Sequence, residues 1–173
     1  MMGLRAFRRN VLLALLTVSM LPAFGLAQAD APVVLSGAAL ARIVPPGFYF
    51  EGQSAPTQMR NSAAARLGPG HHVVAGMVDT SGYSVEVRAK YEGFLICDAP
   101  VRVEGQELPT GAYGFGFTDD EKLNVFDVGG RQVLSVGTTS DRTLRRPRPL
   151  LMQRRGREVR LYSGRQFVTI GAR

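Results

Sequence analysis

The chain has one cysteine, no tryptophan and two histidines in 173 residues. Cys97 alone cannot close an internal disulfide, so the fold must be held by packing, and a chain of this length can build a core without staples. The histidines are neighbours, His71-His72, and no H-x-H, H-E-x-x-H or C-x-x-C spacing occurs. The common zinc motifs are therefore absent. Adjacent side chains on a strand point to opposite faces, so one ion could not take both rings without distorting the backbone. There is no G-x-S-x-G elbow to present a serine nucleophile. Cys97 follows Phe94-Leu95-Ile96 and precedes Asp98, a buried, electronegative setting that does not suit a thiolate paired with either histidine. Asp119-Asp120-Glu121 lacks the D-x-[DN]-x-[DN]-G calcium pattern and reads as a solvated turn. No catalytic residue, metal or cofactor is assigned, and a non-enzymatic protein is expected.

Long apolar runs are also missing beyond residue 30, so no later segment approaches a membrane-spanning length. The one apolar run, Val11 to Met20, is short, follows Arg5, Arg8 and Arg9, and leads through Pro22 and Gly25 to Ala27-Gln28-Ala29. That order is the one found in a cleaved secretory signal peptide. Residues 1–29 are read as the signal, with an exported mature chain in the periplasm or outside the cell. Cleavage there takes 29 residues and three arginines from a 173-residue chain of charge +7, leaving 144 residues at +4. One domain is expected, with 30–47 as an irregular or short-helical lead-in and 48–173 as an antiparallel β domain.

Strand signals and tight turns fill the rest. Val101 and Val103 alternate with Arg102 and Glu104, then Glu104-Gly105 and Leu108-Pro109-Thr110-Gly111 offer two turns. The chain re-enters with Tyr113, Phe115 and Phe117 on one face and Gly114 and Gly116 on the other. A hairpin is predicted across Gly68-Pro69-Gly70, and Gly52 to Pro56 reads as a loop. Tyr83, Val85, Val87, Ala89 and Tyr91 alternate with polar residues, which predicts a half-buried strand over 83–91. Gly93 reads as a bulge before Phe94 to Cys97. Further strands are expected at 123–126, 132–136, 150–152, 159–162 and 167–170, with a long connection over 138–149. About ten strands without alternating long helices exclude a parallel α/β sheet and leave an antiparallel β-sandwich or a closed barrel.

The pattern V-x-V-x-G-x-x-L-P-x-G-x-Y from Val101 to Tyr113, with Arg146-Pro147-Arg148-Pro149-Leu150 and Arg160-Leu161-Tyr162-Ser163-Gly164-Arg165, resembles a strand-turn-strand signature of uncharacterised exported bacterial all-β proteins. The resemblance implies an exported all-β domain and carries over no functional residue.

Charge is distributed unevenly. From Arg142 to Arg165 there are nine arginines (Arg142, Arg145, Arg146, Arg148, Arg154, Arg155, Arg157, Arg160 and Arg165) against a single acid, Glu158, whereas from Asp98 to Asp127 there are seven acids. Guanidinium forks match phosphate and carboxylate bidentately. These nine arginines are the candidate contact for an anionic partner: lipid head groups, lipopolysaccharide or an acidic polysaccharide. Nucleic acid is not expected after export, because exposed aromatics are not interleaved with the basic residues. The plainer alternative is that the basic strands pair with the acidic ones inside the fold, or that the arginines merely solvate it. A second functional alternative is a carrier whose aromatic residues, from Phe48 to Phe126, line a cavity for a small apolar ligand.

Overall fold

A computed structural model describes residues 31–173; the expected signal peptide lies outside the described residues. In chain order the elements are β1 (Val33–Leu35), α1 (Gly37–Ile43), β2 (Gly47–Phe50), β3 (Gln53–Gly68), β4 (His71–Val78), α2 (Val85–Arg88) and β5 (Gly93–Cys97). There follow β6 (Val101–Val103), β7 (Gln106–Leu108), β8 (Gly111–Phe117), β9 (Lys122–Phe126), β10 (Gln132–Gly137) and β11 (Thr139–Ser140). The chain closes with β12 (Arg148–Arg155), β13 (Glu158–Gly164) and β14 (Gln166–Ala172). Every strand pair is antiparallel. The larger sheet runs β1-β3-β4-β5-β8-β9-β10 with β2 folded onto β3, and the smaller runs β12-β13-β14-β6-β7 with β11 on β14. The two sheets remain open and form a sandwich rather than a barrel.

Period-two alternation explains the layers. Ala63, Ala65, Val73, Ala75, Leu95, Phe115, Leu123 and Val125 project from one face of the larger sheet against Val103, Met152, Val159, Leu161, Val168 and Ile170 of the smaller. The opposite face of the larger sheet is buried as well. Ala64, Val74, Phe94 and Phe126 project there and meet Phe48 and Phe50 of β2, Val44 beyond α1, and Tyr83 and Tyr91 on either side of α2. Phe50 stacks on Tyr91 at 4.1 Å between ring centroids. Among the described residues the aromatic side chains are therefore core, with Tyr49 the exposed exception and Phe117 half-buried.

Turns occur where their chemistry requires them. Pro69-Gly70 joins β3 to β4, with Gly70 at φ 69°, as a proline-glycine turn demands. Glu104-Gly105 joins β6 to β7 with both residues at positive φ, and Glu51-Gly52 joins β2 to β3 in the same way. That second Glu-Gly pair corrects the expected 52–56 loop: β3 begins at Gln53, immediately after the turn.

The expected strand over 83–91 is also corrected. Residues 85–88 are helical, and Ser84 caps them by accepting from the Val87 amide at 3.3 Å. Alternating apolar residues contain an i, i+4, i+8 subset, and here Tyr83, Val87 and Tyr91 face inward while Val85 is 67% exposed. Nor is Gly93 a bulge. It pairs in register with Met77 and Phe115, and a Cβ there would lie 2.2 Å from the Gly76 carbonyl oxygen. Its role is close backbone approach. Within the lead-in, β1 pairs with β3 and α1 follows it, so that segment is an integral part of the larger sheet.

Candidate functional site

The smaller sheet positions the arginines. In β12 and β13, Leu150, Met152, Val159 and Leu161 turn inward, so the alternate side chains face out. Arg160 lies outward on β13 with its guanidinium 4.1 Å from the centroid of Phe167, a cation–π contact. The β12–β13 hairpin pairs Arg155 with Glu158 across Gly156-Arg157. It carries Arg154, Arg155 and Arg157, all exposed, with the Arg155 guanidinium donating to Gln153 Oε1 at 3.1 Å.

Arg148 sits at the other end of β12, opposite Gly164. At the rise of a strand, the eight-residue β12 holds its ends about 23 Å apart. The nine arginines thus fall into a hairpin group, the central Arg160, and a group around the 141–148 connection. That connection is anchored. The Asp141 amide donates to the Arg165 carbonyl at 2.9 Å, and the Arg165 guanidinium donates to the Leu144 carbonyl at 2.7 Å and the Arg142 carbonyl at 3.3 Å. The Asp141 carboxylate accepts from the Thr143 hydroxyl at 2.6 Å, the Thr143 amide at 3.0 Å and the buried Tyr162 hydroxyl at 3.0 Å. Those bonds, the Thr143 hydroxyl foremost, hold the Asp141 pKa below its ordinary value. Arg142, Arg145, Arg146 and Arg148 ride on this fixed loop and are all exposed.

Among the described residues, no carboxylate lies within salt-bridge distance of any of the nine arginines; the ion pairs present are His72–Asp98, Lys90–Glu51, Lys122–Asp120, Arg131–Asp127 and Arg173–Glu107. Of the acids of the middle stretch, Asp98, Glu107, Asp120 and Asp127 pair with His72, Arg173, Lys122 and Arg131, and Glu104 accepts from the Thr169 amide. The internal pairing that the charge distribution allowed is not how these strands are joined.

Of the other residues considered, His71 is exposed and His72 Nδ1 lies 2.9 Å from the Asp98 carboxylate, which also accepts from the His72 amide. Cys97 points into the core between the sheets, and burial pushes its thiol up to about 12. Asp120 pairs with Lys122 at 2.6 Å within the 118–122 turn. Among the described residues, no three His, Cys, Asp or Glu side chains are placed to hold a metal ion.

Among the described residues, the surface grooves near the smaller sheet include three. One, of about 510 Å3, is lined by Leu144, Arg145, Arg146, Arg148, Leu151 and Gln153. A second is lined by Arg102 together with Glu104 and Glu158. The third gathers Glu92, Asp119 and Glu121 beside Arg165. Glu92 accepts from the Phe117 amide at 3.1 Å, and its burial raises its pKa. Sequence reading overlooked Asp141, Tyr162 and the two leucines of the first groove. The Asp141-Arg142-Thr143 triplet, an Asx-turn pattern, was the available signal. No helix among the described residues is long and apolar enough to cross a membrane. Comparison with protein-family models, with curated proteins and with solved structures returned no match.

Proposed function

We propose that the chain is an exported, non-enzymatic binding module of the cell envelope that holds an anionic partner through the arginines between Arg142 and Arg165. One observation carries this reading: among the described residues none of these arginines has a carboxylate within salt-bridge distance, although Glu158 stands opposite Arg155 across the hairpin, and Glu104 and Asp141 are bonded to other groups. A guanidinium without an internal counter-charge is free to meet phosphate, sulfate or carboxylate from outside. Fixing the 141–148 connection before binding lowers the ordering cost of that contact. The carrier alternative gains nothing from the aromatic residues, which are packed ring against ring in the core.

The test is retention on immobilised heparin and on anionic liposomes as salt is raised. The native chain is expected to bind and to release at moderate salt, since screening weakens exposed charge contacts. Reversal of Arg154, Arg155 and Arg157 to Glu is expected to lower the releasing salt. Unchanged retention of that variant would remove the proposal.

A further inference from the structure

We infer that the groove between the 141–148 connection and β12 takes a lipid-borne phosphate, an inference that rests on reading the late arginines as anion contacts. The three grooves differ in a way that selects this one. Those around Arg102 and Arg165 contain acids, Glu104 and Glu158 in one and Glu92, Asp119 and Glu121 in the other. An incoming anion meets repulsion in both. The groove of Arg145, Arg146 and Arg148 has no acid in its lining, and no carboxylate approaches its arginines.

Its remaining lining decides the class of anion. Leu144 and Leu151 are half-buried and present apolar surface beside the guanidiniums, with Gln153 as a neutral hydrogen-bonding group. No aromatic side chain lines it. A sugar polymer is usually gripped by aromatic platforms and several polar groups, whereas a phosphate attached to hydrocarbon wants arginine beside leucine. At about 510 Å3 the groove has room for a head group and the first carbons of its chains. The loop is braced from behind by Asp141, Tyr162 and Arg165, so the guanidiniums are displayed by a fixed backbone.

The experiment measures binding of four probes by calorimetry and co-sedimentation: inorganic phosphate, monomeric short-chain phosphatidic acid, phosphatidylcholine vesicles, and the same vesicles containing phosphatidic acid. The native chain is expected to prefer monomeric phosphatidic acid to inorganic phosphate and to ignore pure phosphatidylcholine. Removing three charges as R145Q/R146Q/R148Q is expected to weaken binding about a hundredfold, at about fivefold per arginine near a phosphate surface. The matched variant R154Q/R155Q/R157Q is expected to stay within a few-fold of native for the monomeric lipid. Tyr162→Phe leaves the lining intact and removes a brace, so a several-fold loss is expected there too.

Binding to vesicles but not to the monomeric lipid would place recognition at a charged membrane surface and overturn the groove. Equal affinity for inorganic phosphate, or equal losses in the two triple variants, would overturn it as well. Heparin retention that survives these failures leaves the broader proposal standing. Loss of retention on every anionic surface sinks both.

Discussion

Gly116 offers a sharp test of how the outer layer sits on the larger sheet. A Cβ added there would lie 2.2 Å from the carbonyl oxygen of Lys90 and 2.9 Å from its carbon. Both are backbone atoms just past α2, tied down by the Tyr91 amide bond to the Val87 carbonyl at 2.9 Å. They cannot rotate away as a side chain could. Overpacking costs typically 1–3 kcal/mol, and a backbone obstacle puts Gly116→Ala near the top, at about 3 kcal/mol. Reduced freedom of the unfolded chain returns about 0.7 kcal/mol, for a net loss of about 2 kcal/mol. Gly137 is the control, because a Cβ there meets nothing within 4 Å and its φ is not positive. Gly137→Ala should therefore gain about 0.7 kcal/mol. With a urea slope of about 2 kcal/mol per M, the two midpoints should differ by about 1.5 M. Circular dichroism during urea unfolding reads this directly. A Gly116→Ala midpoint equal to that of Gly137→Ala would refute the placement of the Lys90-Tyr91 crossing over β8.

The remaining predictions concern titrating groups. Burial raises the folded-state pKa of Glu92 above its ordinary 4.5, so the fold favours the protonated acid; this contribution is complete below that ordinary value and is lost as pH rises through the folded one. Glu92→Gln keeps an acceptor for the Phe117 amide, and it should raise the urea midpoint at neutral pH and lose that advantage in acid. A variant less stable than native at neutral pH would contradict the assignment. Asp141 runs the other way. Its folded pKa is depressed, so its stabilisation is present above the ordinary 3.8 and fades as pH falls through the folded value. Proteolysis within the 141–148 connection should speed up over that acid range, and a rate that ignores pH there would count against the anchor. Cys97, with its thiol pushed up to about 12 and its side chain in the core, should resist thiol reagents at neutral pH until the chain unfolds; rapid labelling of native protein would displace it from the core.

What the sequence made legible follows the range of each interaction. Gly70, Gly105 and Gly156 all stand in turns where positive φ is needed; the expected strands flank Gly70 and Gly156, and the expected β6 precedes Gly105, while β7 after it was not anticipated. The Tyr83–Tyr91 segment misled because its alternation also contains a helical spacing, and a cap from Ser84 settled the matter locally. The three-residue β1 and two-residue β11 are too short to announce themselves and exist through partners far along the chain, Arg66 to Ala64 for one and Phe167 and Gln166 for the other. Pairings such as His72 with Asp98 and Glu104 with Thr169 cross long stretches of sequence, and no local pattern announces them. The clustering of the late arginines could be read from the sequence, and all but the half-buried Arg160 are exposed. Their separation to opposite ends of β12, and the company of Leu144 and Leu151 at one end, needed the strand register.

The claim that a particular arginine surface does the binding is best separated from the effect of net charge by one comparison. Retention on anionic vesicles is measured for the chain with Arg145, Arg146 and Arg148 reversed to Glu and for a chain with the equally exposed Arg42, Arg60 and Arg88 reversed. The two variants carry the same charge. The account predicts that the first releases at much lower salt than native while the second stays close to native. Equal loss in both would show that attraction is a property of total charge, and the arginine surface would no longer have a role.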